Sequence, residues 1–293
     1  MPITPAAMDP AQVIKLALSK IGDIATLPEV TAKIISVVDD PKSTARDLHR
    51  VIKNDPALAT KILKVVNSAF YGLPGQVSEI DRAIVLLGRS AVKNIAISAS
   101  ISRLFTSERI SDRFSARDIW KHCLAVAVAP RQLCAVVGKR AFAEEAFLAG
   151  LIHDLGLLVE RQAFPDQLKE VIRLAGETDR LFPELEAEII GADHQAIGAA
   201  LAAKWKFPRG LQTVLGYHHR IMNLAADNRL PATIVYIADV LVCHERIGFY
   251  LTGDHQPLDD TILESIGLSE SDFTTVQQEL AAQVEEAESI FKS

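Results

Sequence analysis

The sequence has almost no cysteine. Three thiols, Cys123, Cys134 and Cys243, are spread over 293 residues, and no two form a C-x-x-C pair. That argues against a disulfide framework and for buried thiols of a reducing compartment. Cys123 and Cys134 lie about three helical turns apart, on one face, as core packing would place them. Positive charge is short as well. Lys and Arg number 31 against 37 Asp and Glu, for a net charge of −6 and a pI near 5.8. A nucleic-acid binder usually carries a basic stripe, so nucleic acid is not an expected partner. No uncharged apolar run reaches the roughly 18 residues of a membrane span. The N-terminus lacks a positive region ahead of an apolar core. The expectation is a cytoplasmic protein without membrane contact. A glycine-rich phosphate loop, internal repeats and low-complexity tracts are also missing.

Strand-like alternation is nowhere sustained, and nearly every apolar pattern has a period of 3.6. The expected fold is therefore all-α. Apolar residues make up 49% and charged residues 23%, enough for a substantial core beneath a solvated surface. After a loose start from Met1 to Asp9, helices are expected over Pro10–Lys20 and from Thr26-Leu27-Pro28-Glu29, with Pro28 near the first helical position. Thr44 and Asp47 have capping-box spacing, and Asn54-Asp55-Pro56 pairs a cap with a tolerated proline. Helix, Gly88, helix fits either a DNA-reading helix-turn-helix or an ordinary helical corner. The charge favours the corner. Thr106 to Ser115 is polar and marks a subdomain boundary. The expected division is 1–110, a helical N-terminal subdomain; 111–250, a second helical subdomain; and 251–293, a C-terminal helical extension. In that extension Leu263, Ile266, Phe273, Val276, Leu280, Val284 and Ile290 recur at helical spacing. They read as a terminal helix folded back on the body, or one that binds a partner.

Five helical segments of the second half each bring a metal-binding side chain to an apolar face. Ser115 and Asp118 cap a helix that carries His122 among Ile119, Cys123 and Val126, with Pro130 further along. Alone, His122 reads as a satisfied core histidine as well as a ligand. The helix from Glu144 delivers His153-Asp154, with Gly156 expected to let the chain turn. Asp193 caps a helix that begins with His194, which could equally face solvent. The helix Leu211–Tyr217 ends at His218-His219, where capping is the simple role. A helix opened by Pro231 is apolar all round yet carries Asp239 in its middle. A buried carboxylate needs a cation, a proton or donors. Five of the eight histidines belong to this set, and His49, His244 and His255 read as surface residues. Imidazole and carboxylate together suit a divalent metal.

This pattern resembles the HD superfamily of metal-dependent phosphohydrolases. The first half narrows the resemblance. Ile24-Ala25-Thr26-Leu27-Pro28-Glu29-Val30, Asn54-Asp55-Pro56-Ala57-Leu58, Lys64-Val65-Val66-Asn67-Ser68-Ala69-Phe70-Tyr71 and Ala83-Ile84-Val85-Leu86-Leu87-Gly88 look like the signature of the HDOD (HD-related output) domain. The resemblance implies a bacterial signal-transduction module, regulatory or scaffolding, with a signalling protein as partner; such modules are often attached to receiver or cyclic-dinucleotide domains, and none is expected in this sequence. It also implies that His122, His153, Asp154, His194, His218, His219 and Asp239 hold a divalent metal, one of Fe, Mn, Zn, Ni or Mg, or else form a hydrogen-bonded polar core. The alternative is a phosphohydrolase acting on nucleotides or phosphodiesters. In it His122, His153, Asp154 and Asp239 would form one ligand set, the other histidines a second metal or phosphate site, and Asp154, the bridge, the catalytic residue. Leu157 stands where HD-GYP phosphodiesterases have lysine, Arg220 where they have glutamate, and no Gly-Tyr-Pro motif occurs. Cyclic-di-GMP hydrolysis of that type is not expected.

Overall fold

The structure, a computed structural model, describes residues 8–22, 27–68, 71–105 and 109–291. Met1 to Ala7, Ile24-Ala25-Thr26, Ala69-Phe70, Thr106 to Glu108 and Lys292 lie outside the described residues. The fold is all-α. Among the described residues the one strand-like pairing is an isolated bridge between Arg109 and Ser115. Two compact units divide the chain: Met1–Ala25 with Leu104–Gln278, and Thr26–Arg103 with Glu279–Ser293.

The smaller unit contains α2 (Glu29–Asp39), α3 (Ala45–Lys53), α4 (Pro56–Val66) and α5 (Ile80–Ile101). Local chemistry sets each start. Pro28 is the residue before α2 rather than its first helical one. The Thr44 N–H donates to Asp47 at 2.9 Å, and the Leu58 N–H to Asp55 at 2.9 Å. Asn67 closes α4: its amide donates to the Leu63 and Val77 carbonyls, and its oxygen accepts the Val77 N–H at 2.6 Å. Gly88, at φ 85°, breaks α5 into two helical halves. The core is aliphatic: Ile34, Leu48, Ile52, Leu58, Ile62, Val92 and Ile95. Each such side chain contributes roughly 1.5–3 kcal/mol when fully buried. By length and composition Ile80–Leu104 could cross a membrane, but 61% of its most apolar window is buried inside the protein.

The larger unit contains α1 (Pro10–Lys20), α6 (Ala116–Val136), α7 (Ala143–Ile152), α8 (Leu155–Ala163), α9 (Pro165–Glu177), α10 (Phe182–Ile189), α11 (His194–Lys204), α12 (Arg209–Tyr217), α13 (Ala226–His244) and α14 (Asp260–Ser265). The unit boundary falls inside α15 (Glu270–Phe291). α6 packs on α7 and α13, and α11 on α8 and α12. Two of these contacts are backbone to backbone. A Cβ on Gly150 would lie 2.1 Å from the Val126 carbonyl oxygen, and one on Gly156 would lie 1.9 Å from that of His194. Gly156 is therefore not a turn residue. It sits inside α8 and lets α11 approach.

Two further expectations change. Pro231 does not open α13 but lies inside it, since the helix starts at Ala226. The lost N–H removes one bond that the surrounding contacts compensate. The terminal helix is two helices, because Gly267 adopts φ 78° between α14 and α15.

Candidate metal centre

Each donor arrives by a short local argument. The Ser115 N–H donates to Asp118 at 2.7 Å, fixing the start of α6 and placing His122 on its buried face. α7 ends at Ile152, so His153 and Asp154 form the tight corner before α8. Asp193 accepts the Ala196 N–H at 2.8 Å and sets His194 as the first residue of α11. α12 runs out at Tyr217 and delivers His218 and His219, and α13 carries Asp239. The structure brings all seven predicted residues together, and all are buried. His49 and the exposed His244 and His255 stand apart.

The cluster has two lobes that meet at Asp154. In the first, His122 Nε2 lies 3.3 Å from His153 Nε2, 3.5 Å from Asp154 Oδ2 and 3.1 Å from Asp239 Oδ1. His153 Nε2 is 3.3 Å from Asp154 Oδ2. In the second, His194 Nε2 lies 3.2 Å from His218 Nε2 and 3.3 Å from Asp154 Oδ1, which is 3.5 Å from His218 Nε2. His219 belongs to this lobe, and its Nδ1 is 3.5 Å from Asp239 Oδ2.

The donor chemistry fits a divalent cation. His153 Nδ1 donates to the Gly150 carbonyl at 2.7 Å, and His218 Nδ1 faces the Val214 and Leu215 carbonyls at 3.2 and 3.1 Å. His194 Nδ1 donates to Glu186 Oε2 at 2.7 Å. With Nδ1 used as the donor, each ring turns its Nε2 inward, where it can serve as a ligand atom. His194, His218 and Asp154 Oδ1 then aim lone pairs at one another across about 3.3 Å, which repels unless a cation lies between. Donors bound at about 2.1 Å to one ion are roughly 3.0–3.4 Å apart, depending on the angle. Both oxygens of Asp154, Asp239 Oδ2 and both His219 nitrogens have no hydrogen-bond partner. Buried polar atoms are rarely left so.

The electrostatics agree. Burial disfavours ionised Asp154 and Asp239, yet the surrounding histidines hold both carboxyls well below the usual range. Burial and neighbouring histidines push His218 and His219 down, so they are neutral donors. Burial also opposes the His153 imidazolium, but Asp154 and Asp239 outweigh it and raise its pKa. Without a metal, a proton on His153 supplies part of the missing positive charge.

The pattern of histidines and aspartates misses four supporting residues. Glu186 holds His194 by its ring nitrogen and by its N–H, at 3.1 Å. Gln195 Oε1 accepts the His219 N–H at 3.0 Å. Glu160 is buried beside Glu186, and burial with the neighbouring charge pushes both carboxyls well up. Cys243 donates to Asp239 Oδ1 at 3.4 Å. Glu186 was legible in principle: it lies four residues after Phe182 and three before Ile189, on the apolar face. Arg220 has a structural partner, pairing with Asp193 at 2.9 Å and tying the end of α12 to the start of α11.

Comparison with known proteins agrees with this architecture. A crystal structure of an HDOD domain protein of unknown function from Geobacter sulfurreducens superposes with a TM-score of 0.78 at 21% identity, covering 96% of this chain and 98% of that one. A candidate signal-transduction protein from Marinobacter aquaeolei VT8 gives 0.77 at 22%, covering 97% and 66%. A candidate phosphohydrolase from Shewanella amazonensis SB2B gives 0.73 at 22%, covering 95% and 98%. At these identities the likeness is one of fold. An uncharacterized protein of Treponema pallidum (strain Nichols) is 26% identical over 234 residues, 79% of this chain and 45% of that protein. The chain thus spans less than half the length of that curated relative. The sequence model of the HDOD domain matches residues 24–221, more than half the chain, and so the chain belongs to the HDOD domain family.

Proposed function

We propose that this chain is a regulatory HDOD module of bacterial signal transduction, working in the cytoplasm through a protein partner and built round a closed divalent-metal centre. The observation that carries the reading is closure. The side chains of His122, His153, Asp154, His194, His218 and Asp239 have no exposure, and that of His219 has 1%. A structural site is closed, whereas a catalytic one keeps a position open to substrate. Gly253 helps close it: a Cβ there would meet Cys243 Sγ at 3.0 Å and Asp239 Oδ2 at 3.4 Å. A cavity of about 700 Å³ is lined by the 109–114 segment, α9 and Leu251, and by none of the seven donors.

One observation favours a second reading, a metal-dependent phosphohydrolase. Asp154 turns one oxygen to each lobe. A pair of divalent ions, when bound, supplies Lewis acidity for phosphoryl transfer. In that case His122, His153 and Asp239 would hold one ion, His194, His218 and His219 the other, and Asp154 both.

Metal analysis by mass spectrometry, next to phosphodiesterase and nucleotidase assays with Mn²⁺, Fe²⁺, Zn²⁺, Ni²⁺ and Mg²⁺, separates the two. The regulatory reading expects metal, its loss in Asp154→Ala, and no turnover. Metal-dependent hydrolysis abolished in Asp154→Ala would overturn it in favour of the enzyme. Absence of metal after reconstitution would remove the metal from both.

A further inference from the structure

We infer that the cleft of about 700 Å³ between the 109–114 segment and α9 is a binding site for a small organic oxyanion, a phosphate or carboxylate carried on a flat apolar body. The site is independent of the metal. Its size is that of ordinary ligand pockets. Its floor is apolar and already buried: Ile110, Phe114, Ile172 and Leu251 are all at most 6% exposed.

The two walls differ in charge. On the α9 wall the cations are neutralised: Lys169 faces Asp166 at 3.7 Å, and Arg173 forks onto Glu170 at 2.7 Å and also meets Glu177. On the opposite wall Arg109 and Arg113 are exposed and neither forms an ion pair with a described carboxylate, Asp112 between them included. An anion entering the cleft therefore meets two guanidinium groups that no described carboxylate pairs. Guanidinium is the side chain best shaped to grip a planar or tetrahedral oxyanion with two parallel bonds.

The arginine wall is also held in place before any ligand arrives. Arg109 and Ser115 form a bridge, and the Phe114 carbonyl accepts the N–H groups of Ile110 at 2.9 Å and Ser111 at 3.1 Å. Ser111 Oγ accepts the N–H groups of Phe114 at 3.1 Å and Arg113 at 3.3 Å. The Arg113 guanidinium lies over the rings of Phe114 and Tyr250, 5.5 and 5.3 Å from their centroids. Such pre-ordering lowers the entropy cost of gripping a ligand. An apolar body would then rest on the floor while its anionic end met the arginines.

Titration calorimetry with 1-naphthyl phosphate and 1-naphthoate tests this, with 1-naphthol and inorganic phosphate as the body and the anion alone. Saturable binding of at least one naphthyl anion is expected, with 1-naphthol and phosphate at least about tenfold weaker. The stronger naphthyl anion identifies the oxyanion. Arg109→Ala and Arg113→Ala should each weaken it by about tenfold or more, the range of charge-assisted hydrogen bonds. Arg113→Lys, which keeps the charge but loses the fork, should fall between. Both arginines are on the surface, so the variants keep the fold, which circular dichroism checks. No saturable binding of either anion at millimolar concentration would overturn the proposal. So would affinity unchanged in the Arg109→Ala, Arg113→Ala double variant.

Discussion

The two units solve the problem of a helical core in opposite ways. The smaller one buries aliphatic side chains against each other, with Ile34, Leu48, Ile52 and Ile62 all at 0% exposure. Its buried polar groups are few and neutral, such as Thr31 bonded to Ser100 at 2.7 Å. The larger unit buries two ionised aspartates and five histidines at its centre, with Glu160 and Glu186 behind them. Desolvating such groups is costly unless each is matched. One core is stable by shape alone. The other gathers donors that suit a cation. The difference implies that the larger unit should respond to metal and pH, and the smaller to neither.

The sharpest break of that contrast is removal of the shared carboxylate. Asp154→Ala should cost about 3–5 kcal/mol, because it leaves the facing histidines without their counter-charge. Ile52→Ala in the smaller unit should cost a similar 2–5 kcal/mol by leaving a cavity. Chelation tells them apart. A strong chelator should raise hydrogen exchange in α7 and α13 of the wild type while leaving α3 and α4 protected. Equal loss of protection in all four helices would show that the two cores do not differ in this way.

Gly156→Ala comes next, at about 1–3 kcal/mol for overpacking, or more, since the clash is with backbone. The methyl would press on the His194 carbonyl, so α8 and α11 must part, taking Asp154 from His194. Chemical denaturation measures the cost, and a fall in metal affinity should accompany it. A stable variant with unchanged metal affinity would show that the helix contact does not position the second lobe.

The histidines and aspartates were legible because each interrupts an apolar stripe, and period 3.6 alone shows that. Helix starts were legible for the same local reason: Asp55, Ser115 with Asp118, and Asp193 act within three residues of their partners. What hid was whatever depends on a distant neighbour. Gly156 looks like a turn until α11 is seen against it. Glu186 shares α10 with Glu184 and Glu188, which face solvent, and Glu160 is followed by the half-buried Arg161, so both segments read as more polar than they pack. Pro231 looks like a helix start because the preceding turn, Ala226 to Leu230, carries no apolar stripe to announce it.

Those two glutamates give the pH arm of the comparison. Burial raises both carboxyls well above the ordinary range; the Glu186 charge adds to this at Glu160, and at Glu186 burial prevails over the lowering bond from Glu160, with the Asp193 charge adding to it. The native pair thus keeps protons that the unfolded chain releases above about pH 4.3. A raised folded pKa contributes stability that is complete below the unfolded value and lost as pH rises toward the folded one. The metal-free protein should therefore lose stability between pH 5 and neutrality, at most by about 1.4 kcal/mol per pH unit for each proton. Glu160→Gln, which cannot ionise, should flatten that slope in urea titrations at pH 5, 6 and 7. An unchanged slope would mean that the pair is not what titrates.

The smallest effect is expected where polarity is neutral and already satisfied. Thr31 Oγ1 donates to Ser100 Oγ, whose own proton goes to the Ala96 carbonyl at 2.9 Å. Ser100→Ala leaves the Thr31 hydroxyl buried without its acceptor and should cost about 1 kcal/mol. Thr31→Val should cost a similar amount or less, since Ser100 keeps its bond to Ala96. The double variant should cost less than the two singles added together, because no hydroxyl is then left unmatched. Neither chelator nor pH should change these values. A double variant as costly as the sum would mean that the pair is not one interaction. A metal dependence would mean that the aliphatic unit senses the centre of the other, which its own side chains give no means to do.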